Sequence, residues 1–203
     1  MNRDDVELEG SEILHQGFFR MDHFMLRHRL FAGGWSPALS REIMLRNPVA
    51  AVIPYDPILD RVVLIEQFRG GMFAAGDPHP WSIEVVAGII EPDETAEDMA
   101  RRETLEETGC TIARLQKVMD YYPSPGGCSE CVAVFCGEVS TEGVGGIHGN
   151  AAEGEDIRVF SETTDDAMAQ VMSGAINNSI GIIGIQWLAL NRQSLRQRWG
   201  VAE

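Results

Sequence analysis

The sequence predicts an α+β fold: β-strands with helices against them, preceded by an N-terminal antiparallel β-ribbon. Three observations carry this reading. Short apolar or alternating runs recur between Gly- and Pro-rich breaks, the pattern of strands. One stretch near the middle carries both a helix start and a helix stop. Two further helical stretches close the chain. Of the residues, 44% are hydrophobic and 23% charged, a balance that supports a packed core.

The ribbon comes first. Ile13 to Phe31 alternates apolar with polar or basic residues and reads as two strands meeting near Met21-Asp22. Such a ribbon cannot bury both faces alone, so it must pack on the main domain or on a second chain. Ala32-Gly33-Gly34 breaks it. Residues 1–48 are thus expected to be a β-rich dimerisation region, and 49–203 the main domain.

From Val49 the runs are more apolar. VAAVIPY and RVVLIEQF flank the turn opened by Asp56-Pro57 and read as a hairpin. Gly70 to Pro80 reads as a loop, and SIEVVAG as a third strand. LQKVMDYY and CVAVFCGEV follow, separated by Pro123-Ser124-Pro125-Gly126-Gly127. Thr141 to Glu155 reads as a Gly-rich loop and DIRVF as a last strand. Helices are expected over Thr164 to Met172 and Ser179 to Trp199. In the second, Ile180, Ile183, Trp187, Leu190 and Leu195 recur at helical spacing and are expected in the core.

Composition excludes several functions. The formal charge is −15, from 31 acidic and 16 basic residues, so a nucleic-acid polyanion would be repelled. A small phosphate compound can still bind where arginines and cations neutralise it. No run is apolar and long enough to span a membrane, and MNRDDVELEG lacks the apolar core of a secretory signal. Four cysteines do not make a disulfide framework. Cys128 and Cys131 form a C-x-x-C without the further ligands a zinc site needs. A cytoplasmic location is expected. The five histidines show no ligand spacing.

The chemistry lies in GIIEPDETAEDMARRETLEETGC, Gly88 to Cys110. Thr95 followed by Asp98 caps a helix start, and Gly109 sits where a helix stops. Between them Glu103, Glu106 and Glu107 stand at i, i+3 and i+4, on one face. Like charges so spaced repel, and a divalent cation is the natural counter-charge: Mg²⁺ or Mn²⁺ prefers carboxylate and carbonyl oxygen. Taken alone, E-x-x-E-E beside Arg101 and Arg102 would read as a solvated face with intrahelical ion pairs.

The wider pattern changes that balance. G-x5-E-x7-R-E-x-x-E-E-x-G runs through Gly88, Glu94, Arg102, Glu103, Glu106, Glu107 and Gly109, and it resembles the Nudix box with every fixed position filled. RHRLFAGG, VVLIEQFR, EVVAGIIE, SPGG, EDIRV and IGIIGIQWLAL are similar to the ADP-ribose pyrophosphatase branch, as is Pro125, fifteen residues past Cys110. Thr104 and Cys110 stand where the family has more aliphatic side chains.

The resemblance implies a mixed sheet between helices, an α/β/α sandwich, and hydrolysis of ADP-ribose to AMP and ribose 5-phosphate with more than one Mg²⁺ (or Mn²⁺) ion. It implies that Glu103, Glu107, Glu155 and the Ala87 carbonyl hold metal, that Glu106 is a further ligand or supports them, and that Glu153 is the general base. Gly88, Glu94, Arg102 and Gly109 would be structural. Arg69 would contact phosphate, Ser124 and Glu130 the terminal ribose, and Phe18, Arg41 and Glu42 the adenine side across a subunit boundary of a homodimer. Read without the family, Phe18 would be core and Arg41-Glu42 a surface pair. The alternatives are the same box acting on another nucleoside diphosphate sugar or a dinucleotide, or a nucleotide-sensing module without catalysis, which should show a broken box.

Overall fold

The computed structural model describes residues 1–150 and 154–201. The chain divides into two compact units, residues 1–48 with 122–131, and residues 49–121 with 132–201.

The first unit is a three-stranded antiparallel sheet, β1 (Val6–Gln16), β2 (Arg20–His28) and β3 (Leu39–Leu45), in that order. The turn between β1 and β2 falls at Gly17-Phe18-Phe19, not at Met21-Asp22. Arg20 explains the shift: it donates to both oxygens of Asp22, at 2.7 and 2.6 Å, and this polar pair sits comfortably inside β2. β3 was not expected. Its LSREIML is half-polar and short, and the loop 122–131 lies beside it, bonded through Met44 N to Gly127 O and Ser129 N to Met44 O.

The second unit holds the mixed sheet. Its strands are β4 (Val49–Asp56), β5 (Arg61–Phe68), β6 (Trp81–Glu84), β7 (Val86–Ile89), β8 (Leu115–Tyr121), β9 (Val132–Glu138), β10 (Gly146–His148) and β11 (Ile157–Thr163). The order is β10-β11-β5-β4-β9-β8, with β4 and β9 parallel. β4 and β5 pair only beside their turn, at Tyr55↔Val62 and Asp56↔Arg61. Beyond it β6 pairs with β5 and β7 with β4, so SIEVVAG is two short strands that change partners at Val85.

β4 is buried along its whole length because both faces are covered. Val49, Ala51, Ile53 and Tyr55 enter one apolar cluster with Ile185, Leu188, Leu195 and Trp199. Ala50 and Val52 enter the other, with Met99 and Ala100. The helices are a short α1 (Gly70–Ala74), α2 (Ala96–Thr108), α3 (Thr164–Ser173) and α4 (Ser179–Arg198). α2 covers one face of the sheet, and α3 and α4 the other.

Three local expectations need correction. Gly70–Ala74 is helical within the expected loop, and Gly146–His148 forms a strand within the Gly-rich segment. In α4 the buried stripe is Gly181, Gly184, Ile185, Leu188 and Leu195. Leu190 is 86% exposed, and Ile183 and Trp187 are half-buried. Gly184 lets the helix press onto β4, where a Cβ would lie 3.0 Å from Ile53, while Gly181 closes against Ile176 and Asn178. No helix among the described residues is long and apolar enough to cross a membrane.

Candidate active site

The site is built on α2. Thr95 caps its start: its Oγ1 accepts from Asp98 N at 3.1 Å and donates to the Asp98 carboxylate at 2.6 Å. Gly109 ends it in the left-handed region, φ 71°, with its N–H donating to Leu105 O. A side chain there would be strained. The preceding strand β7 runs so close that a Cβ on Gly88 would lie 2.7 Å from Glu103 Cγ. Glycine at 88 is what allows Glu103 to lie across the strand.

The box glutamates share a helix face, yet their environments differ sharply. Glu107 is 3% exposed, and its Oε2 is buried without a hydrogen-bond partner. Burial, and then the charges of Glu103 and Glu155, push its carboxyl up to about 9. Glu103 is mostly buried and is also raised, chiefly by burial. The Glu106 side chain is 59% exposed, so it stands at the rim, not in the same pocket.

Arginines balance part of this charge. Arg102 Nε and Nη2 donate to the two Glu94 oxygens at 2.8 and 3.0 Å, while Nη1 donates to Glu103 at 2.8 Å and Glu106 at 3.1 Å. Its hydrogen bonds hold the Glu94 carboxyl below its ordinary range. Just past β5, Arg69 donates to Glu84 on β6 through Nε at 2.8 Å and Nη2 at 2.6 Å. Arg69 also feels Glu107 and Glu155, which places it at the same acidic cluster. Glu84 went unremarked in the sequence. Its only signal was an acid inside the apolar run SIEVVAG, where a buried carboxylate needs a partner.

Glu155 joins the cluster from the segment before β11. Its charge acts on both Glu103 and Glu107, and its Oε2 accepts from Asn150 N at 3.1 Å. Glu153 lies outside the described residues. Ala87 pairs with Ala51 in the β4–β7 ladder, immediately before Gly88. Among the described residues the acids do not form a closed metal-ligand cluster.

The other expected contacts belong to the first unit. Phe18 is 85% exposed at the ribbon turn, not core, and meets Phe19 edge-on at 4.9 Å. Arg41 is exposed and donates to Ser40 O, not to Glu42. Glu42 is exposed opposite His23. Glu130 pairs with Arg46 at 3.1 Å, and Arg46 lies over the Phe19 ring at 5.0 Å. Ser124 is exposed, and its carbonyl accepts from Gly127 and Cys128. Cys128 and Cys131 are free thiols, as are Cys110 and Cys136.

A NUDIX domain model matches residues 45–170. The chain belongs to the Nudix family. It is 43% identical to the ADP-ribose pyrophosphatase of Escherichia coli (strain K12) over 197 residues, 97% of this chain and 94% of that protein. The Haemophilus influenzae ADP-ribose pyrophosphatase is 40% identical, with 98% and 92% covered. A GDP-mannose pyrophosphatase of Cronobacter sakazakii is 31% identical, with 92% and 96% covered. Among solved structures, an ADP compounds hydrolase matches with a TM-score of 0.71, covering 98% of this chain and 97% of that one. At 15% identity that likeness speaks for the Nudix fold alone.

Proposed function

We propose that this Nudix hydrolase cleaves the diphosphate of ADP-ribose, giving AMP and ribose 5-phosphate. The single observation that carries the chemistry is Glu107: a buried carboxylate with an unpartnered oxygen, beside two further carboxylates. Near-full-length identity of 40–43% to two ADP-ribose pyrophosphatases supports the substrate. The lower identity to GDP-mannose pyrophosphatases makes that substrate the second reading.

The residues fit divalent metal. Their donors are hard oxygens, the Glu107 oxygen is orphaned, and Glu103, lying against Gly88, is near enough for its charge to raise Glu107. Glu103, Glu107, Glu155 and the Ala87 carbonyl would hold the ions, with Mg²⁺ first and Mn²⁺ second, and more than one per site. Bound metal neutralises the diphosphate and lowers the pKa of an attacking water. Arg102 braces Glu94 and keeps Glu103 and Glu106 oriented. Arg69, held flat by Glu84, presents its remaining N–H groups to a phosphate. Glu153 is assigned as general base, with Glu106 acting from the rim. Phe18, Arg41 and Glu42 are assigned to the adenine side, and Ser124 and Glu130 to the terminal ribose. An intact box argues against a sensing module.

We also assign a homodimer. β1 exposes all eleven residues, including Val6, Leu8, Ile13 and Leu14, and a second copy would cover them. Sedimentation should give twice the 22.4 kDa chain mass; a fully active monomer would exclude the dimer. The function is tested by product analysis with ADP-ribose and Mg²⁺ in ¹⁸O-water. AMP and ribose 5-phosphate should appear, with label on one of them. Clear kcat/KM preference for GDP-mannose or a dinucleotide would replace the substrate. No hydrolysis of any of them would remove the enzymatic reading.

A further inference from the structure

The second unit carries a cavity that catalysis by the box does not use. It has a volume of about 460 Å³ and is lined by Asp60, Arg192, Gln193, Arg196, Gln197 and Val201. That is within the range of small-molecule sites, roughly 300–1,000 Å³. It lies along the last turns of α4, and α4 packs on the sheet face opposite α2. The two sites therefore stand on opposite faces of one sheet.

The lining chemistry is specific. Arg192 and Arg196 are one helical turn apart, as are Gln193 and Gln197, so all four project from one side of α4, across an arc of about 140°. Arg192 is fixed by two acids, with Nη1 2.9 Å from Asp60 and Nη2 2.8 Å from Asp165. Asp60 is fixed in turn. Its Oδ1 accepts from the Tyr55 hydroxyl at 2.8 Å and the Thr164 hydroxyl at 3.0 Å, and its backbone oxygen accepts from Thr164 N at 3.1 Å. Arg196 differs: among the described residues its guanidinium makes no ion pair. Arg196 is half-buried, and its charge reaches the Tyr55 hydroxyl that donates to Asp60. The two amides supply donors and acceptors beside it, and Asp60 supplies an acceptor.

We propose that this cavity binds a small phosphomonoester on a hydroxylated carrier, with Arg196 taking the phosphate and Gln193, Gln197 and Asp60 the hydroxyls. Guanidinium and phosphate match in charge and geometry. Both expected products of the reaction carry this chemistry, as a sugar phosphate or as a nucleoside monophosphate, so the cavity would let the protein sense product away from the box. The site stands on its own geometry and does not require the substrate assignment.

The test uses the full chain without metal. Ribose 5-phosphate, AMP and inorganic phosphate are titrated separately by calorimetry and by NMR of the side-chain amides of Gln193 and Gln197. One of the two phosphomonoesters should bind saturably, shift those amides and bind tighter than inorganic phosphate. Arg196→Ala should weaken binding at least tenfold, Gln197→Ala should weaken it less, and Glu107→Gln should leave it unchanged. Which carrier binds identifies the source. Absence of saturable binding, equal binding by Arg196→Ala and Gln197→Ala variants, or loss in Glu107→Gln would overturn the proposal.

Discussion

Two acidic regions of the same unit invite comparison. Around Arg102 and Arg69, Glu94 and Glu84 each receive two charge-assisted hydrogen bonds, and their charges are spent inside the protein. A few residues away Glu107 is more deeply buried and has an oxygen with no donor at all. One folded chain thus satisfies some carboxylates and leaves a buried oxygen unpartnered on two others, Glu107 in the box and Glu162 on β11. Nothing in the composition prevents a further arginine from being placed there. The difference teaches that the first group builds the site, and Glu107 is kept unsatisfied for something the chain does not itself contain. A buried, unpaired carboxyl oxygen costs about 1–3 kcal/mol or more; Glu162 bears that cost too, so it is the company of Glu103 and Glu155 around Glu107 that points to a bound cation.

The sharpest way to break this contrast is Glu107→Gln. Activity on ADP-ribose should fall by about 10³-fold in kcat, roughly 4 kcal/mol of barrier. The metal-free variant should nevertheless be more stable than the parent, by about 1–3 kcal/mol near pH 8. The pH dependence has a definite sign. A carboxyl raised from 4.5 to about 9 opposes folding once it must ionise, so its stability is greatest below 4.5 and is lost as pH rises toward 9. Thermal melts of the metal-free protein between pH 5 and 9 should therefore slope downward more steeply for the parent than for the variant. Unchanged turnover, or a variant less stable at pH 8, would show that Glu107 is an ordinary core residue.

A smaller effect is expected at the satisfied end. Glu84→Gln removes the anion that flattens Arg69, and the guanidinium loses its fixed direction. The loss should be about 10–100-fold in kcat/KM, borne mainly by KM, because phosphate contacts held in ground and transition state alike act on binding. Steady-state kinetics with ADP-ribose separates the two parameters. A drop confined to kcat would place Glu84 in the chemistry instead.

The same contrast marks what sequence could disclose. The helix Ala96–Thr108 and its caps were legible because capping residues and a terminal glycine act locally. Most sheet strands were legible as apolar runs, since β4 and its neighbours are covered on both faces. β3 was not, because LSREIML is pinned by hydrogen bonds to a loop some 80 residues later in sequence, which no local pattern reveals. Leu190 was misplaced because period alone does not say which of two adjacent stripes faces the sheet; the close approach of Gly184 to Ile53 on β4 marks the one that does. Within the site, spacing put three glutamates on one face but could not grade their burial. That grading comes from β7 and β5 passing beneath the helix. Glu84 escaped for a related reason: its partner Arg69 precedes it by fifteen positions, across a strand exchange.

The mildest expected lesion is Glu94→Gln. Glu94 holds Arg102 from one side, while Glu103 and Glu106 hold it from the other. With the Glu94 charge removed, Arg102 should lean toward Glu103 and compete with any cation there. The concentration of Mg²⁺ needed for half-maximal rate should then rise a few-fold, with kcat nearly unchanged at saturating metal. The melting temperature should fall by a few degrees at pH 7. That difference should close as pH drops below the ordinary carboxylate range, because a carboxyl held low by its partner stabilises only while ionised. A metal titration of initial rates, with melts at pH 7 and pH 4, checks both parts. A kcat loss as deep as that of Glu107→Gln would move Glu94 from bracing the helix into the reaction itself, and the division between satisfied and stranded acids would fail.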